Sequence, residues 1–315
     1  MISTAIELRA GPASATVAPD EGGMLLSLQV GGHELLVQRR AGTEPVPTFG
    51  SFLMAPWVGE LRLGQLEFRG RRALLPANKG RHAVHGLVAT GAWNVADVGP
   101  AAAKLTREIP QPWPFGGTVT QDVRLDPDGI TLEAEIRAED QAMPAALGWH
   151  PWFACPDPSL VRVGVQSSHE LELDDELLPT GAVRPVGSRS DLRGAPILGE
   201  RRLDTVFVGT SSPALLRTPE VELQIHFDPA IENVVVYTPP QAVCVEPWSA
   251  WPDGFRMADA GYATGVTVLE CGQSLRRWTR WEWSSGMDKR ADEWVPSTER
   301  PLPTHWTKSP RRAPQ

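Results

Sequence analysis

Alternation of hydrophobic and polar residues with a period of two dominates the chain. In residues 130–137 the apolar side chains fall on even positions, and in residues 221–227 they fall on odd positions. Successive side chains of a β-strand point to opposite faces, so this spacing predicts strands with one buried face. Residues 117–125 are also strand-like, and the Asp-Pro-Asp-Gly sequence at 126–129 predicts the turn of an antiparallel hairpin.

Short segments with strand character recur along the chain, separated by turns rich in Gly and Pro. They are residues 24–30, 34–38, 66–75, 91–98, 161–165, 169–173, 205–208, 233–238, 242–246 and 265–283. Helical periodicity is almost absent, and the 29 Gly and 30 Pro residues argue against a helical bundle. The pattern predicts an all-β sandwich or barrel that forms one domain over residues 1–283.

The last part of the chain has a different character. In residues 284–315, five prolines fall among charged and polar residues without periodicity. We expect a Pro-rich polar extension that has no core of its own and is flexible. Trp294 and Trp306 leave open whether it docks on the domain.

Composition and charge exclude several classes of function. With 30 basic and 38 acidic residues the net charge is −8, which argues against a nucleic-acid binder. No apolar run approaches the ~18 residues of a membrane span, and no export signal is visible at the start, so we expect a cytoplasmic protein. The 3 Cys residues are widely spaced, which indicates neither disulfides nor a cysteine zinc site.

Three stretches, residues 76–86, 148–153 and 243–248, combine acid–base side chains with Gly, Pro and Trp. Glu246 follows an apolar strand and precedes a proline, so it can be half-buried at a cleft, where its pKa would rise towards that of a useful base. His150 lies between tryptophans, and imidazole titrates near neutral pH. Alone, each residue also fits a structural role, a salt-bridged carboxylate or a hydrogen-bonded core histidine.

Other residues in or near these stretches suggest a sugar ligand. Flat aromatic faces suit a sugar ring, and five tryptophans lie in or near these stretches or in the loop at 112–114: Trp113, Trp149, Trp152, Trp248 and Trp251. Core packing is the alternative role for each of them. His85 precedes a glycine in a polar loop, which favours exposure to a cleft. His82 and His85 form an H-x-x-H pair, but without a third nearby ligand the match to a metal site is weak, and we expect no metal.

Together and in this order, the three stretches resemble the aldose 1-epimerase (galactose mutarotase) family. The stretches in question read Leu-Pro-Ala-Asn…His-Ala-Val-His-Gly, Leu-Gly-Trp-His-Pro-Trp-Phe and Val-Cys-Val-Glu-Pro, and the likeness covers residues 5–283. Residues 202–207 and 252–255 and the Trp-Pro pair at 113–114 support it. The resemblance implies a large antiparallel β-supersandwich, a sugar cleft, no cofactor, and interconversion of the α and β anomers of a free aldose.

The resemblance also implies roles for individual residues. Glu246 matches the general base at the C1 hydroxyl, and His150 matches the general acid at the ring oxygen. His85 matches a second histidine at the ring, and Asp204 a carboxylate that binds hydroxyls. We expect Glu246, ionised, and His150, protonated, to converge on opposite sides of one pyranose. One carboxylate with two imidazoles favours proton transfer over glycoside hydrolysis, which uses two carboxylates.

One departure concerns the substrate. Where the family usually has an Asn-Arg-Ile triplet, this chain has Gly-Glu-Leu at 59–61, so Glu60 replaces a guanidinium donor by a carboxylate that can only accept hydrogen bonds. Arg62 is near enough to compensate, although it would point to the opposite face of an extended strand. Asn78 and Trp152 complete the residues that we expect to contact a monosaccharide.

Two other functions fit the same residues. A hexose-phosphate epimerase of the same fold would use a cluster of bases, Arg62, Arg69, Arg71, Arg72, Lys79 and Arg81. For Arg69, Arg71 and Arg72 a solvated hairpin is the better expectation, because the Arg-Gly-Arg sequence at 69–71 is typical of a turn. A sugar-binding protein without catalysis would explain the change at Glu60 and the basic extension. The sequence specifies neither the sugar nor the oligomeric state.

Overall fold

The computed structural model describes residues 5–39 and 45–285, whose regular secondary structure is almost entirely antiparallel β-strand. In chain order the strands are β1 (Ile6–Ala10), β2 (Ala13–Ala18), β3 (Met24–Val30), β4 (His33–Glu34), β5 (Ser51–Met54), β6 (Glu60–Leu61), β7 (Gln65–Phe68), β8 (Arg71–Leu74), β9 (Ala83–Val84), β10 (Asn94–Val98), β11 (Ala102–Glu108), β12 (Thr118–Asp126), β13 (Gly129–Arg137), β14 (Met143–Ala145), β15 (Gly148–Pro151), β16 (Phe153–Ala154), β17 (Arg162–Gln166), β18 (His169–Leu173), β19 (Pro179–Pro185), β20 (Asp204–Val208), β21 (Ser211–Arg217), β22 (Val221–Phe227), β23 (Asn233–Tyr237), β24 (Ala242–Trp248), β25 (Thr267–Leu269) and β26 (Ser274–Ser285). The helical elements of these residues are two 3-10 turns, η1 (Arg62–Gly64) and η2 (Pro158–Leu160), and one short helix, α1 (Gly254–Asp259).

Two large sheets form the body of the protein. The larger has 12 strands, with the main order β1-β2-β3-β5-β15-β24-β23-β20-β18-β19. The second has 8 strands in the order β10-β11-β12-β13-β26-β22-β21-β17. This is the antiparallel supersandwich that the resemblance implied. None of the helical elements in the described ranges has the length and apolar character needed to cross a lipid bilayer.

The larger sheet buries side chains on both of its faces. In β24, Val243 and Val245 join the main core between the sheets, whereas Cys244 and Trp248 belong to a second apolar cluster on the opposite face. Glu246 shares that face because side chains alternate along a strand. The second cluster therefore forms the floor on which the candidate site is built.

The predicted hairpin is confirmed, and several strand bounds agree with the alternation. β12 and β13 pair from Thr118↔Arg137 to Asp126↔Gly129, so the Asp-Pro-Asp-Gly sequence closes the turn. β3 and β18 occupy the predicted positions 24–30 and 169–173.

Two segment predictions need correction. Of residues 34–38, Glu34 lies in β4 and Leu36 forms an isolated antiparallel bridge to Phe153, so the segment is not one continuous strand. Residues 265–283 contain two strands, β25 and β26. Residues 66–75 form the hairpin of β7 and β8, and the turn expected at 69–71 has Arg69 and Gly70 in left-handed conformations.

The predicted domain boundary at residue 283 falls inside the last strand. β26 continues to Ser285, where it pairs with Val221 of β22. The remainder of the predicted extension, from residue 286, lies outside the described residues.

Candidate active site

His150 and Glu246 are cross-strand neighbours in the larger sheet. β15 pairs with β24 at Gly148↔Trp248, and β16 continues the same antiparallel register at Phe153↔Val243. In this register His150 falls opposite Glu246. Directly opposed side chains on one face of a sheet lie within interaction distance, so the sheet itself brings the two residues together.

The acid–base pair is close and almost completely buried. His150 Nε2 lies 3.5 Å from Glu246 Oε1, and the exposed fractions of the two side chains are 6% and 2%. The indole Nε1 of Trp248 donates a hydrogen bond of 3.1 Å to Glu246 Oε2. The His150 ring stacks on Trp152 with an interplanar angle of 2°, which fixes its orientation.

The pair is adjacent rather than opposed, which corrects the expectation that its members lie on opposite sides of a pyranose. Both groups approach from the floor of the cleft. This arrangement still suits anomerisation, because the hydroxyl oxygen and the ring oxygen of an aldose are bonded to the same carbon, C1. One base and one acid side by side can therefore reach the two oxygens at once.

His85 completes the cluster from a strained loop. Its φ of 62° is left-handed, and its backbone N–H donates to the carbonyl of Gly59. The next residue must be glycine, because a Cβ at Gly86 would lie 2.0 Å from the carbonyl oxygen of Ala55. This close packing holds the His85 ring perpendicular to that of His150, with centroids 5.1 Å apart.

Asp204 and Glu60 lie on the walls of the cleft. Asp204 begins β20 and pairs with Tyr237 of β23, which places its carboxylate at the cleft mouth. Glu60 lies in β6, which pairs with β9 at Glu60↔Val84. The Glu60 carboxylate accepts a 3.0 Å hydrogen bond from Nζ of Lys79.

Asn78 shapes the loop that carries Lys79. Its side-chain oxygen accepts from the backbone N–H of Val84 at 2.7 Å, and its amide nitrogen donates to the Val84 carbonyl at 3.0 Å. Asn78 lines the cleft, but both polar atoms of its side chain have these backbone partners. Its contribution is therefore to position the loop as well as to line the site.

The cleft has a volume of about 240 Å³. This is smaller than the roughly 300–1,000 Å³ of pockets for drug-sized ligands, and it suits one sugar ring. Seven of the eight predicted site residues line it, namely Glu246, His150, His85, Asp204, Glu60, Asn78 and Trp152, together with Lys79, Leu177, Tyr237 and Trp248.

Arg62 is the predicted site residue that the structure does not bring into the cleft. The chain leaves the extended conformation after Leu61 and forms the turn η1. The Arg62 guanidinium lies 3.5 Å from Asp174 and 3.8 Å from Asp253, and it lines a separate surface cavity with Arg256. Arg62 thus does not supply the donor that Glu60 lacks. Lys79 does, although the sequence suggested it only as one member of a basic cluster.

The other bases of that cluster do not converge on the cleft either. Arg69 pairs with Glu270, Arg72 with Glu67, and Arg81 with Glu176. Arg71 donates to Gln141. In the part of the chain that the structure describes, the cluster therefore offers the cleft a single ammonium group and no phosphate-binding set.

The tryptophans divide between the cleft and the core. Trp152 and Trp248 line the cleft. Trp113, Trp149 and Trp251 are fully buried, and Trp113 packs against Trp57 and Phe115 in the main core.

Burial shifts the pKa values of the pair in opposite directions. Burial raises the Glu246 pKa well above its usual range, the charge of Asp204 raises it further, and the Trp248 hydrogen bond opposes this. Burial and then the charge of Lys79 lower the His150 pKa to about 3. Both shifts favour the neutral forms of His150 and Glu246, which is the reverse of the predicted charge state, an ionised Glu246 and a protonated His150.

The pKa values of the neighbouring groups His85 and Asp204 are shifted as well. Burial, the charge of His150 and then that of Lys79 hold the His85 pKa well below its ordinary value. Burial and the Glu60 carboxylate raise the Asp204 pKa to about 6, while Lys79 opposes the shift.

Two groups of side chains have the residue types of a metal site. His82 accepts a hydrogen bond from the backbone N–H of Leu63 on Nδ1, and its Nε2 lies 3.5 Å from Glu176, so it supports η1 and its neighbours. His150, Cys244 and Glu246 place potential ligand atoms within 4.8 Å of one another. Burial raises the Cys244 pKa well above its usual value, which keeps this thiol protonated. The cluster is better described as the acid–base pair resting on a neutral thiol.

The fold is an antiparallel supersandwich of the galactose mutarotase-like class, and the candidate site lies in a cleft on its larger sheet. The GalM/aldose epimerase homologue from C. elegans superposes with a TM-score of 0.78 at 17% identity, covering 90% of this chain and 99% of that one. Galactose 1-epimerase from Lactobacillus acidophilus NCFM superposes with a TM-score of 0.74 at 16% identity, covering 90% and 94%. At these identities the likeness establishes the fold.

Sequence comparison identifies the family. A family model described as aldose 1-epimerase matches residues 4–282. The protein YihR of Escherichia coli (strain K12) is 26% identical over 156 residues, which are 48% of this chain and 50% of YihR, so the match spans about half the length of that relative. The chain belongs to the aldose 1-epimerase family.

Proposed function

We propose that this chain is an isomerase that interconverts the α and β anomers of a free aldose by acid–base ring opening and closure. The observation that carries the proposal is the His150–Glu246 pair, 3.5 Å apart on the floor of a cleft with a volume of about 240 Å³. The proposed substrate is a monosaccharide, and the compartment that we expect is the cytoplasm.

Ring opening requires one proton to leave and one to arrive. The Glu246 carboxylate takes the proton of the C1 hydroxyl while the protonated His150 gives its proton to the ring oxygen. The C1–O5 bond breaks, and C1 becomes an aldehyde. For this step the single proton of the pair must lie on His150, and the gap between Glu246 Oε1 and His150 Nε2 is short enough for a transfer on sugar binding.

Ring closure reverses the same transfers on the other face of the aldehyde. After rotation about the C1–C2 bond, the O5 hydroxyl attacks C1 and returns its proton to His150. Glu246 gives its proton back to the new C1 hydroxyl. The protein is left in its starting state, and each such proton transfer typically contributes 10²–10⁴-fold to the rate.

The remaining groups bind and orient the sugar. His85, perpendicular to His150, is placed to hydrogen-bond the ring region next to the reacting carbon. Asp204 and Glu60 accept hydrogen bonds from hydroxyls on the walls. Trp152 offers an apolar surface beside the acid–base pair.

Polarimetry on freshly dissolved α-glucose and α-galactose tests the proposal. We expect the wild-type protein to accelerate the approach to anomeric equilibrium and Glu246→Gln to lose most of that acceleration. Binding of either sugar without acceleration would instead assign the cleft to a sugar-binding protein without catalysis.

A further inference from the structure

Glu60 and Lys79 form an ion pair inside the proposed sugar cleft. Lys79 Nζ lies 3.0 Å from Glu60 Oε1, and the exposed fractions of the side chains are 54% for Lys79 and 8% for Glu60. Both residues line the same cavity as His150 and Glu246. Among the described residues that line this cavity, Lys79 is the single Lys or Arg.

The backbone holds both partners in place. The carbonyl of Glu60 accepts a 2.6 Å hydrogen bond from the N–H of Asp253, and its strand pairs with β9. Lys79 follows Asn78, whose side chain clamps the loop to Val84 with two hydrogen bonds. The backbone therefore places both partners on the cleft wall, with the Glu60 carboxylate buried and the Lys79 side chain half exposed.

Acidic residues outnumber basic ones beside this pair. Glu60 and Asp204 both line the cleft with the one ammonium group of Lys79, whereas burial favours the neutral form of Glu246. Burial lowers the Lys79 pKa, but the charge and hydrogen bond of Glu60 outweigh it, and the charge of Asp204 adds to them, so the net shift is upward. Lys79 is thus a permanent cation whose charge Glu60 already neutralises.

We propose that the Glu60–Lys79 pair makes the enzyme select uncharged aldoses and reject those that carry a carboxylate or phosphate. This inference rests on the proposed function. A neutral sugar can donate a hydroxyl hydrogen to Glu60 and accept one from Lys79. A sugar anion would need Lys79 as its counter-ion but finds it occupied, and it would also face the charges of Glu60 and Asp204. Specificity of this kind arises from repulsion of the wrong ligand as much as from attraction of the right one.

Substrate ratios measured on each variant test this selectivity. The rates with glucose are compared with those with glucuronate and glucose 6-phosphate, each corrected for its spontaneous anomerisation. We expect the wild type to have a kcat/KM at least tenfold higher for glucose. Glu60→Gln keeps the shape of the side chain but frees Lys79, and it should reduce that preference at least tenfold, mainly through a lower KM for the anions. Adding salt should weaken this gain.

The structure offers a matched control. Glu170 is a buried carboxylate that pairs with Arg184 outside the cleft, with exposed fractions of 8% and 57%, close to those of Glu60 and Lys79. Glu170→Gln should leave the substrate ratio unchanged. Lys79→Gln should not improve the use of the anions, because it removes the cation that they would bind.

Several results would overturn the proposal. These are equal turnover of neutral and anionic sugars by the wild type, or a folded Glu60→Gln variant with an unchanged ratio. If the wild type accelerates no sugar, the proposed function fails, and calorimetric binding of glucose against glucose 6-phosphate then decides the selectivity separately. Tighter binding of the phosphate, or binding of neither sugar, would refute it.

Discussion

His150 Nε2 and Glu246 Oε1 lie 3.5 Å apart on neighbouring strands of one sheet, on opposite positions of the same antiparallel register. Their closeness follows from strand pairing and does not depend on a flexible loop. In the proposed mechanism the base and the acid are thereby preorganised for two proton transfers at atoms bonded to one carbon.

Replacement of either member should nearly abolish catalysis. We expect Glu246→Gln and His150→Asn each to lower kcat at least ~10²-fold, because each removes one acid–base group from the transition state. Glu246→Gln keeps an oxygen that can accept the Trp248 hydrogen bond, so a loss of activity is not expected to come from unfolding. Polarimetry measures the effect, with circular dichroism as the folding control. A loss of kcat under threefold for both variants would refute the assignment of Glu246 and His150 as the acid–base pair.

The pair should act as a unit that carries one proton. Below the His150 pKa of about 3 both groups are protonated, and above the raised Glu246 pKa both are deprotonated. The states with one proton on Glu246 or on His150 have the same total charge, so pH does not distinguish them. We expect a bell-shaped profile of kcat/KM whose acid limb lies far below neutral pH.

Neighbouring charges should move the alkaline limb in opposite directions. The charge of Asp204 raises the Glu246 pKa and that of Lys79 lowers it. Asp204→Asn should therefore shift the alkaline limb to lower pH, and Lys79→Gln should shift it to higher pH. The pH dependence of kcat/KM for the two variants provides the measurement. Shifts of the same sign would show that the limb reports a different group.

The fold could be predicted to a large extent because alternation is a local signal. The hairpin of β12 and β13 follows directly from side chains that alternate between a core and an open face. β3 and β18 match short segments of strand character between turns, although their side chains do not alternate in burial. The break between Glu34 and Leu36 could not be predicted, since Leu36 forms its bridge with Phe153, which is remote in sequence.

The candidate site was predictable where strands carry it. His150 and Glu246 lie on β15 and β24, and motif order was sufficient to select them. Arg62 and Lys79 depend on tertiary contacts instead. The turn η1 directs Arg62 towards Asp174 and Asp253, which are remote in sequence, and the loop held by Asn78 directs Lys79 to Glu60.

Catalysis should not depend on a metal ion. His82 already accepts a backbone hydrogen bond from Leu63 and supports a turn, so the H-x-x-H pair is not free to act as a chelate. We expect the rate of anomerisation to survive exhaustive treatment with a chelator, measured against an untreated sample of the same preparation. If the chelator abolishes activity and added Zn²⁺ restores it, His82 and His85 would instead be assigned as metal ligands.

The burial of Glu246 should cost stability in a pH-dependent way. Its pKa is raised in the folded state above the unfolded value of 4.5, so the folded protein binds the proton more tightly. The cost is absent below the unfolded pKa, grows as the pH rises above it, and is complete above the folded pKa. Glu246→Gln removes the ionisation, so it should raise the melting temperature at pH 8, and this gain should shrink towards pH 4.5. Thermal melts of both proteins across this range measure the difference, and a gain that is larger at pH 4.5 than at pH 8 would contradict the raised pKa.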